Sequence, residues 1–277
     1  MNRTRRLLSW TLLMLLNAAA PLFAQDAPAT GDQQRVYFFE PAGQELPYRL
    51  YVPQAYDAEQ PMPLVVALHG YGGNQNYFFD IVADLPALLE RHGFIFVAPM
   101  GLAVDGWYGA PLNVPGNAPR SGGEPTPAPP RTPEEETQYR ALSEQDVLAV
   151  LERVREEYNI DPARIYLMGH SMGGYGTWWL GQKYADTWAA IAALSGVLPG
   201  LDYQLPRLQN VAVHVSIGGA ENPDWVAASR QQVDVMKSMG IDTGYFEPVD
   251  ATHGSMIAQT VPRALEFFAS RRKQVRE

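Results

Sequence analysis

Arg164-Ile-Tyr-Leu-Met-Gly-His-Ser-Met-Gly-Gly-Tyr-Gly-Thr-Trp-Trp-Leu180 is the stretch around which the rest of the chain is organised. An apolar run, Ile165 to Met168, ends in Gly169-His-Ser-Met-Gly173, and a helix-compatible stretch continues to about Tyr184. A strand, a G-x-S-x-G motif and a helix in this order place a serine hydroxyl on a sharp turn at the end of a strand. We therefore expect Ser171 to stand above the sheet, where its hydroxyl can act as a nucleophile.

Taken alone, G-x-S-x-G is also compatible with a glycine-rich turn that carries a solvated serine. A serine hydroxyl is a poor nucleophile at neutral pH, so it needs a base within hydrogen-bond reach and a third group that orients the base. The Met172 amide follows the serine on the turn and is expected to donate to a developing oxyanion. The remaining parts must come from elsewhere in the chain.

A second glycine-rich turn follows a second buried strand. Leu64 to His69 is an apolar run without interruption, which is typical of a strand covered on both faces. It ends in His69-Gly-Tyr-Gly-Gly73, where glycines let backbone amides face a ligand. This pattern at the end of a central strand predicts that the Tyr71 amide is an oxyanion donor. The alternative is a plain tight turn.

The base is expected near the C-terminus if the chain order is serine, acid, histidine. The histidines lie at positions 69, 92, 170, 214 and 253. Only His253 lies on a loop that follows the last predicted strand, Gly244 to Val249, and precedes the last predicted helix, Val261 to Arg272. His214 lies within a predicted strand, and His170 is expected to shape the nucleophile turn. His253 is therefore the predicted base.

Three carboxylates are candidates for the group that orients the base. Glu221 lies on the turn directly after the predicted strand Val211 to Ile217. Asp224 follows a proline and opens a helix, where an acid is already explained by the helix dipole. Asp250 lies just before the predicted base. We predict Glu221 as the acid and leave Asp224 and Asp250 as alternatives.

Residues 99–140 interrupt the alternation of strands and helices with a long stretch rich in Pro, Gly, Ser, Asn and Thr. Loops of this length are usually functional or disordered. Trp107 and Tyr108 come soon after a strand, where loops line the ligand side of an open sheet. We predict that 101–112 faces the substrate, with both aromatic residues binding it, and that 113–136 is mobile. The alternative is that Trp107 packs under its own loop.

Weaker patterns predict several elements around these motifs. Two strands are expected at Arg35 to Glu40 and Tyr48 to Val52, joined by a turn. An amphipathic helix is expected from Asp80 to His92, because a glycine that can cap it follows directly. Ser143-Glu-Gln-Asp146 has a serine followed by acids, which predicts the start of another helix.

The composition is that of an ordinary globular protein: 277 residues, of which 46% are hydrophobic and 18% charged. The strand–helix alternation runs without a second start, so we predict one α/β domain over 35–272 with a Pro/Gly-rich insertion at about 101–140. Residues 25–34 are predicted to be a flexible leader. The net charge of −9 argues against nucleic acid or an anionic membrane as partner, and no motif implies a metal or cofactor.

The first 24 residues are predicted to be a secretory signal peptide. Arginines at positions 3, 5 and 6 precede an apolar run, Leu7 to Leu16, and small residues then lead to Ala24. The run is short for a membrane span, which needs about 20 apolar residues, although a membrane anchor is the alternative. We therefore expect an exported protein, periplasmic or secreted, that has no disulfides because it has no cysteine.

From about Tyr48 to Phe268 the chain resembles the α/β-hydrolase superfamily, on the strength of the His69–Gly73 and Gly169–Gly173 motifs and the glycine that follows His253. Within it, the chain is similar to the exported esterases grouped with polyhydroxybutyrate depolymerases, feruloyl esterases and acetyl xylan esterases. The resemblance implies an α/β fold with a mostly parallel sheet and helices on both faces. It also implies cleavage of carboxylic esters through an acyl-enzyme on Ser171, with no metal or cofactor.

The chain departs from this family at the acid. The family usually places an aspartate after the seventh strand, whereas this chain has Ile217-Gly-Gly-Ala-Glu221 there. Because glutamate is one methylene longer, its backbone is expected to sit slightly further from the base. Secreted members also often carry disulfides, and this chain has no cysteine.

Two other functions remain open on the sequence alone. The hydrolase domains of prolyl-oligopeptidase-type enzymes are similar over the same stretch, so a serine peptidase is the first alternative. A binding module that retains the fold without catalysis is the second. The acyl and alcohol specificity is not encoded in any motif of the chain.

Overall fold

The computed structural model describes residues 28–111, 131–197 and 204–273. Their strands form one eight-stranded sheet, with the strand order β1-β2-β4-β3-β5-β6-β7-β8. The strands are β1 (Gly31–Phe39), β2 (Gln44–Val52), β3 (Met62–Leu68), β4 (Ile95–Pro99), β5 (Ile160–His170), β6 (Ala190–Leu194), β7 (Ala212–Ser216) and β8 (Thr243–Phe246). Strands β1 and β2 pair antiparallel, as do β2 and β4. All other pairs are parallel, which confirms the predicted mostly parallel sheet.

Helices cover both faces of the sheet, as predicted. They are α1 (Tyr77–Ile81), α2 (Leu85–His92), α3 (Pro133–Glu157), α4 (Met172–Lys183), α5 (Pro223–Ser238) and α6 (Ile257–Ala269). One hydrophobic cluster joins α3, α4 and α5 to one face, and a second joins α1, α2 and α6 to the other. Successive side chains of a strand point to opposite faces. In β3, accordingly, Leu64, Val66 and Leu68 belong to the first cluster and Val65 and Ala67 to the second.

The strand order reverses between β3 and β5, the two strands at the centre of the eight-stranded sheet. Ligands of open α/β sheets bind outside the carboxyl ends of the strands at such a point. The loops that follow β3, β5, β6, β7 and β8 all leave from this edge of the sheet. The fold therefore gathers the two glycine-rich motifs and the loops that carry Glu221 and His253.

Two helices begin at residues that differ from the predictions. The helix predicted from Asp80 to His92 is two helices, α1 and α2, because Pro86 lacks the amide that would continue the first helix and instead suits the start of the second. Helix α3 begins at Pro133, ten residues before the predicted start at Ser143. The Thr132 side chain and Glu135 form a capping box there, so the predicted mobile region 113–136 ends in a helix.

The chain ends also differ from the predictions. Strand β1 begins at Gly31, so the last residues of the predicted leader, 31–34, pair with β2. The last helix runs Ile257–Ala269 instead of Val261 to Arg272. The predicted signal peptide, residues 1–24, and the middle of the Pro/Gly-rich insertion lie outside the described residues. Among the helices of the described part, none has the length and apolarity needed to cross a membrane.

Candidate active site

The structure brings Ser171, His253 and Glu221 into one hydrogen-bonded line. The Ser171 Oγ atom lies 2.8 Å from His253 Nε2. On the other side of the imidazole, His253 Nδ1 lies 2.7 Å from Glu221 Oε2. The three side chains come from three loops, after β5, β7 and β8, and they meet only because the parallel strands end at the same edge of the sheet.

Close backbone packing holds Ser171 on its turn. Its φ of 55° and ψ of −115° lie in a region that non-glycine residues rarely adopt, and its amide donates to Leu194 O at 2.9 Å. A Cβ on Gly169 would lie 2.2 Å from the carbonyl oxygen of Gly173, and one on Gly173 would lie 2.1 Å from that of Leu68. Both motif glycines are therefore required by space, and the turn is pressed against the end of β3.

Close backbone packing also fixes the turn after β7, which places Glu221 beside the imidazole. A Cβ on Gly218 would lie 2.2 Å from Ala251 O, so the acid turn and the loop that carries His253 are in direct contact. The Glu221 side chain is only 2% exposed. Its Oε1 atom accepts hydrogen bonds from the Gly218 amide at 2.8 Å and from the Ser195 hydroxyl.

The environment of Glu221 favours its charged form. Burial, the largest influence, raises its pKa, but hydrogen bonds from His253, Ser195 and Gly218 together outweigh burial and leave the pKa below its ordinary value. A carboxylate that stays ionised beside an imidazole can stabilise the imidazolium that forms when the imidazole accepts a proton.

The other candidates lie elsewhere. Asp224 is exposed in the first turn of α5, where its amide donates to Asn222 Oδ1 at 2.8 Å, and Asp250 is exposed. Neither carboxylate pairs with an imidazole within the described ranges. His214 is buried in β7, with Nε2 2.8 Å from Ser216 Oγ and its ring against Phe267. Geometry thus favours Glu221 and His253 over their alternatives.

His170 has a role that the sequence indicated only in outline. Its Nδ1 atom lies 2.7 Å from the Tyr77 hydroxyl, and its Nε2 atom lies 2.8 Å from the carbonyl oxygen of His253. Because that carbonyl only accepts, Nε2 carries the proton and Nδ1 accepts from Tyr77. Burial, aided by His253, lowers the pKa of His170 to about 3, so its imidazole is neutral.

The predicted oxyanion donors lie where the two glycine-rich turns meet. Gly72 donates to Val104 O and Gly73 to Gly70 O, each at 2.9 Å, which fixes the loop after β3. Within the described residues, the Tyr71 and Met172 amides donate to no protein acceptor. Two unpaired amides beside the serine turn have the chemistry of an oxyanion hole.

The two aromatic residues predicted to bind substrate point in different directions. Trp107 is half-buried, and its ring lies 6.5 Å from that of Tyr71 and 5.8 Å from that of Tyr175. Tyr108 is fully buried, and its hydroxyl donates to His69 O at 3.1 Å. Its predicted contact with substrate is therefore corrected: Tyr108 packs behind the loop after β3 and supports it.

Helix α3 holds the loop that carries Trp107. Buried Asp146 accepts from the amides of Gly101 at 2.6 Å and Leu102 at 3.1 Å, and from the Tyr37 hydroxyl at 2.5 Å. Burial, as the largest influence, raises the pKa of Asp146. Ser143, predicted to start a helix, instead lies inside α3, donates to Gly101 O at 2.7 Å and accepts from the Tyr108 amide.

One further aromatic residue at the site was missed from the sequence. Trp225, half-buried in the first turn of α5, has its ring 6.5 Å from that of His253. The sequence places Trp225 four residues after Glu221, but only the fold brings its ring to the base. Among the residues that the structure describes, no group of three or more metal-binding side chains is arranged to hold an ion.

Comparison with known proteins points to esterases. A family described as "Putative esterase" matches residues 40–240, a stretch that includes Ser171 and Glu221 and ends before His253. Feruloyl esterase B of Neurospora crassa is 28% identical over 48% of this chain and 39% of its own length. Feruloyl esterase B of Thermothelomyces thermophilus is 25% identical over 54% of this chain and 44% of its own. The matched stretch thus spans less than half the length of these curated relatives.

Solved structures of esterases share the fold. A thermostable esterase superposes with a TM-score of 0.64 at 25% identity, over 87% of this chain and 63% of its own. A CE1 ferulic acid esterase of Anaeromyces mucronatus superposes with a TM-score of 0.62 at 17% identity, over 91% of this chain and 93% of its own. An S-formylglutathione hydrolase of Staphylococcus aureus superposes with a TM-score of 0.65 at 13% identity, over 89% of this chain and 99% of its own. The last two show the common fold alone.

Proposed function

This chain belongs to the putative esterase family, and we propose that it hydrolyses carboxylic esters through an acyl-enzyme on Ser171. The observation that carries the proposal is the line from Ser171 Oγ through the His253 imidazole to Glu221 Oε2, with hydrogen bonds of 2.8 and 2.7 Å. A nucleophile, a base in contact with it and an acid in contact with the base are the parts that serine acyl transfer requires.

In the first half-reaction Ser171 Oγ attacks the ester carbonyl carbon while His253 Nε2 takes the hydroxyl proton. The carbonyl oxygen becomes an oxyanion that accepts hydrogen bonds from the Tyr71 and Met172 amides. The intermediate then expels the alcohol, whose oxygen receives the proton from His253. The Ser171 oxygen remains bonded to the acyl group, and the imidazole is neutral again.

In the second half-reaction water replaces the alcohol. His253 removes a proton from water as the water oxygen attacks the acyl carbon, and the same two amides hold the second oxyanion. When this intermediate collapses, the carboxylic acid leaves and His253 returns the proton to Ser171 Oγ. Glu221 stays ionised throughout and stabilises the imidazolium in both halves, which its lowered pKa supports.

The aromatic rim of the site supports an ester with an aromatic acyl group as substrate. Tyr71 is 38% exposed, and its ring contacts that of Trp107, which in turn contacts that of Tyr175. Aromatic rings pack well on one another in offset or tilted pairs. Two curated relatives carry the name feruloyl esterase B, so the proposed substrates are esters of the hydroxycinnamoyl type.

The test combines covalent labelling with a panel of substrates. The purified chain is treated with a fluorophosphonate and assayed on p-nitrophenyl esters of rising chain length, methyl ferulate and peptide anilides, with Ser171→Ala as control. We expect labelling only when Ser171 is present, ester turnover, and no cleavage of anilides. Cleavage of anilides without esters would favour the peptidase alternative, and absence of both labelling and turnover would favour a binding module.

We also propose that the protein is exported and that residues 1–24 are removed in the process. The basic start, the apolar run and the small residues before Ala24 support this. Expression of the full chain in a Gram-negative host, followed by N-terminal sequencing of the periplasmic and secreted fractions, tests it. The expected mature start is Gln25, and an uncleaved N-terminus in the membrane fraction would contradict the proposal.

A further inference from the structure

A fourth side chain, Ser195, contacts the line of residues that ends at Glu221. The Ser195 hydroxyl donates to Glu221 Oε1, the oxygen that also accepts from the Gly218 amide at 2.8 Å. The other oxygen, Oε2, receives His253 Nδ1 at 2.7 Å. The two carboxylate oxygens thus have different partners: Oε1 accepts from Ser195 and Gly218, and Oε2 faces the base.

The backbone around Ser195 is fixed in a conformation that serine rarely adopts. Its φ of 51° is positive, which is uncommon and costly for a residue other than glycine. Ser195 follows β6 directly, and its amide donates to Ser216 O, at the end of β7, at 2.7 Å. Strain of this kind persists only where the surroundings impose it, and it is often found at functional sites.

The residue that follows Ser195 is fixed as tightly. A Cβ on Gly196 would lie 2.5 Å from the carbonyl carbon of Gly174 in α4, so loop and helix are in direct backbone contact. The Trp178 indole donates to Gly196 O at 2.7 Å. Because β7 holds one side of Ser195 and the nucleophile helix holds the other, the hydroxyl is presented to Glu221 in a fixed position.

A buried glutamate needs such support more than an aspartate does. Glutamate has one more rotatable bond, so its carboxylate can turn away from the imidazole unless a second contact fixes it. The Glu221 side chain is 2% exposed, so water is a poor substitute for a lost donor. The structure shows such a second contact, because Oε1 accepts from Ser195 while Oε2 pairs with His253.

From these contacts we propose that Ser195 is a positioning residue for the proposed ester hydrolysis: its hydroxyl orients the Glu221 carboxylate towards His253 and keeps it charged. The inference rests on the proposed function, because an oriented acid matters only if His253 acts as a base. Within the described part of the chain, the Ser195 hydroxyl is hydrogen-bonded to Glu221 and not to Ser171 or the base, so its effect on turnover passes through Glu221.

The first test compares Ser195→Ala and Ser195→Gly with the unmodified chain. Both variants lose the hydroxyl, and glycine also tolerates the positive φ, so Ser195→Gly remains informative if the alanine variant folds poorly. Loss of one hydrogen bond to a charged group predicts a decrease in kcat of roughly 10- to 100-fold with little change in KM. The matched control is Ser216→Ala, a buried serine whose hydroxyl pairs with His214 instead.

The pH profile separates a positioning role from a loss of packing. Ser195 is one of the donors that lower the pKa of Glu221. Its removal should raise that pKa, so the loss of kcat/KM in both Ser195 variants should deepen as the pH falls towards the ordinary glutamate value of about 4.3, while any loss in Ser216→Ala should be the same at every pH. A loss in the Ser195 variants that is the same at every pH, or no loss at all, would overturn the proposal.

A double-mutant cycle identifies the residue through which Ser195 acts. In a Glu221→Gln background the charged acceptor is gone, so Ser195→Ala should cost much less than it does in the unmodified chain. A full loss in both backgrounds would contradict a route through Glu221. If the unmodified chain is labelled by a fluorophosphonate and hydrolyses esters, the proposed function holds whatever the Ser195 variants do. If the unmodified chain is neither labelled nor active on esters, the proposed function fails, and the proposal for Ser195 fails with it.

Discussion

The Nε2 atom of His170 lies 2.8 Å from the carbonyl oxygen of His253. His170 directly precedes Ser171 in the chain, so this hydrogen bond ties the loop of the proposed base to the turn of the proposed nucleophile. The Tyr77 hydroxyl holds the opposite side of the ring at 2.7 Å. A Cβ on Gly70 would lie 3.0 Å from that hydroxyl oxygen, so the loop after β3 packs against the same pair. One neutral imidazole therefore connects three loops of the site.

The first prediction concerns this connection. His170→Leu should lower kcat by roughly 10-fold or more with little change in KM, because it removes the hydrogen bond that holds the backbone of His253, and misplacement of a catalytic group by 1 Å can cost about 100-fold. His170→Gln, which keeps an N–H donor, should recover part of the rate. The measurement is kcat and KM on p-nitrophenyl acetate, with thermal midpoints to exclude unfolding. Normal turnover in His170→Leu would show that the base loop needs no such support.

The second prediction concerns stability at low pH. Burial is the main reason that the pKa of His214 is lowered to about 4 and that of His170 to about 3. In the unfolded chain both titrate near the ordinary value of about 6.5. Between these values the unfolded state binds more protons than the folded state, so stability falls as pH decreases from about 6.5 towards 4. The slope is at most about 1.4 kcal/mol per pH unit for each histidine.

A variant of His214 isolates this effect, because His214 lies outside the proposed active site. His214→Gln should flatten the dependence of the unfolding free energy on pH between about 6.5 and 4, and should leave ester turnover largely intact. Urea unfolding at several pH values measures it. An unchanged slope would mean that His214 is not the group whose protonation destabilises the fold at low pH.

How far the sequence predicts the site depends on how local each signal is. A motif of five residues predicts Ser171, and the order of the strands predicts His253, whereas the same order left Asp224 and Asp250 as alternatives to Glu221. The roles of Ser195 and His170, in contrast, depend on contacts between residues that are far apart in the sequence. Ser195 reaches Glu221 only because β6 and β7 end side by side, and no pattern around Leu194-Ser-Gly196 indicates that contact.

Irregular backbone explains the wrong prediction for Tyr108 in the loop after β4. Trp107 and Tyr108 both have positive φ values, 57° and 53°, so neither helical nor strand periodicity indicates which of the two faces the solvent. The start of α3 was misplaced for another reason. Thr132 and Ser143 are both followed by acids in the manner of a helix start, and only packing shows that Ser143 lies inside the helix.

The third prediction tests the aromatic rim. Trp107→Ala should lower kcat/KM for methyl ferulate by roughly 2- to 10-fold more than for p-nitrophenyl acetate, since an aromatic pair contributes about 0.5–1.5 kcal/mol beyond the buried area. The control is Trp179→Phe, because the Trp179 indole donates to Glu144 at 2.6 Å and, among the described residues, its ring pairs with no ring of the aromatic rim. An equal loss on both esters would indicate that Trp107 supports the loop and does not bind the acyl group.

The last prediction concerns the acid and compares Glu221→Gln with Asp224→Asn on one ester at one pH. Glu221→Gln keeps size and polarity but loses the charge that stabilises the imidazolium, so kcat should fall by orders of magnitude, as expected when the orienting acid of such a triad is neutralised. Asp224 is exposed, and its charge lies at the N-terminus of α5. Asp224→Asn should therefore cost only about 0.3–1 kcal/mol of stability and leave kcat within several-fold. A severe loss in Asp224→Asn with near-normal Glu221→Gln would reverse the assignment, and normal rates in both would direct attention to Asp250.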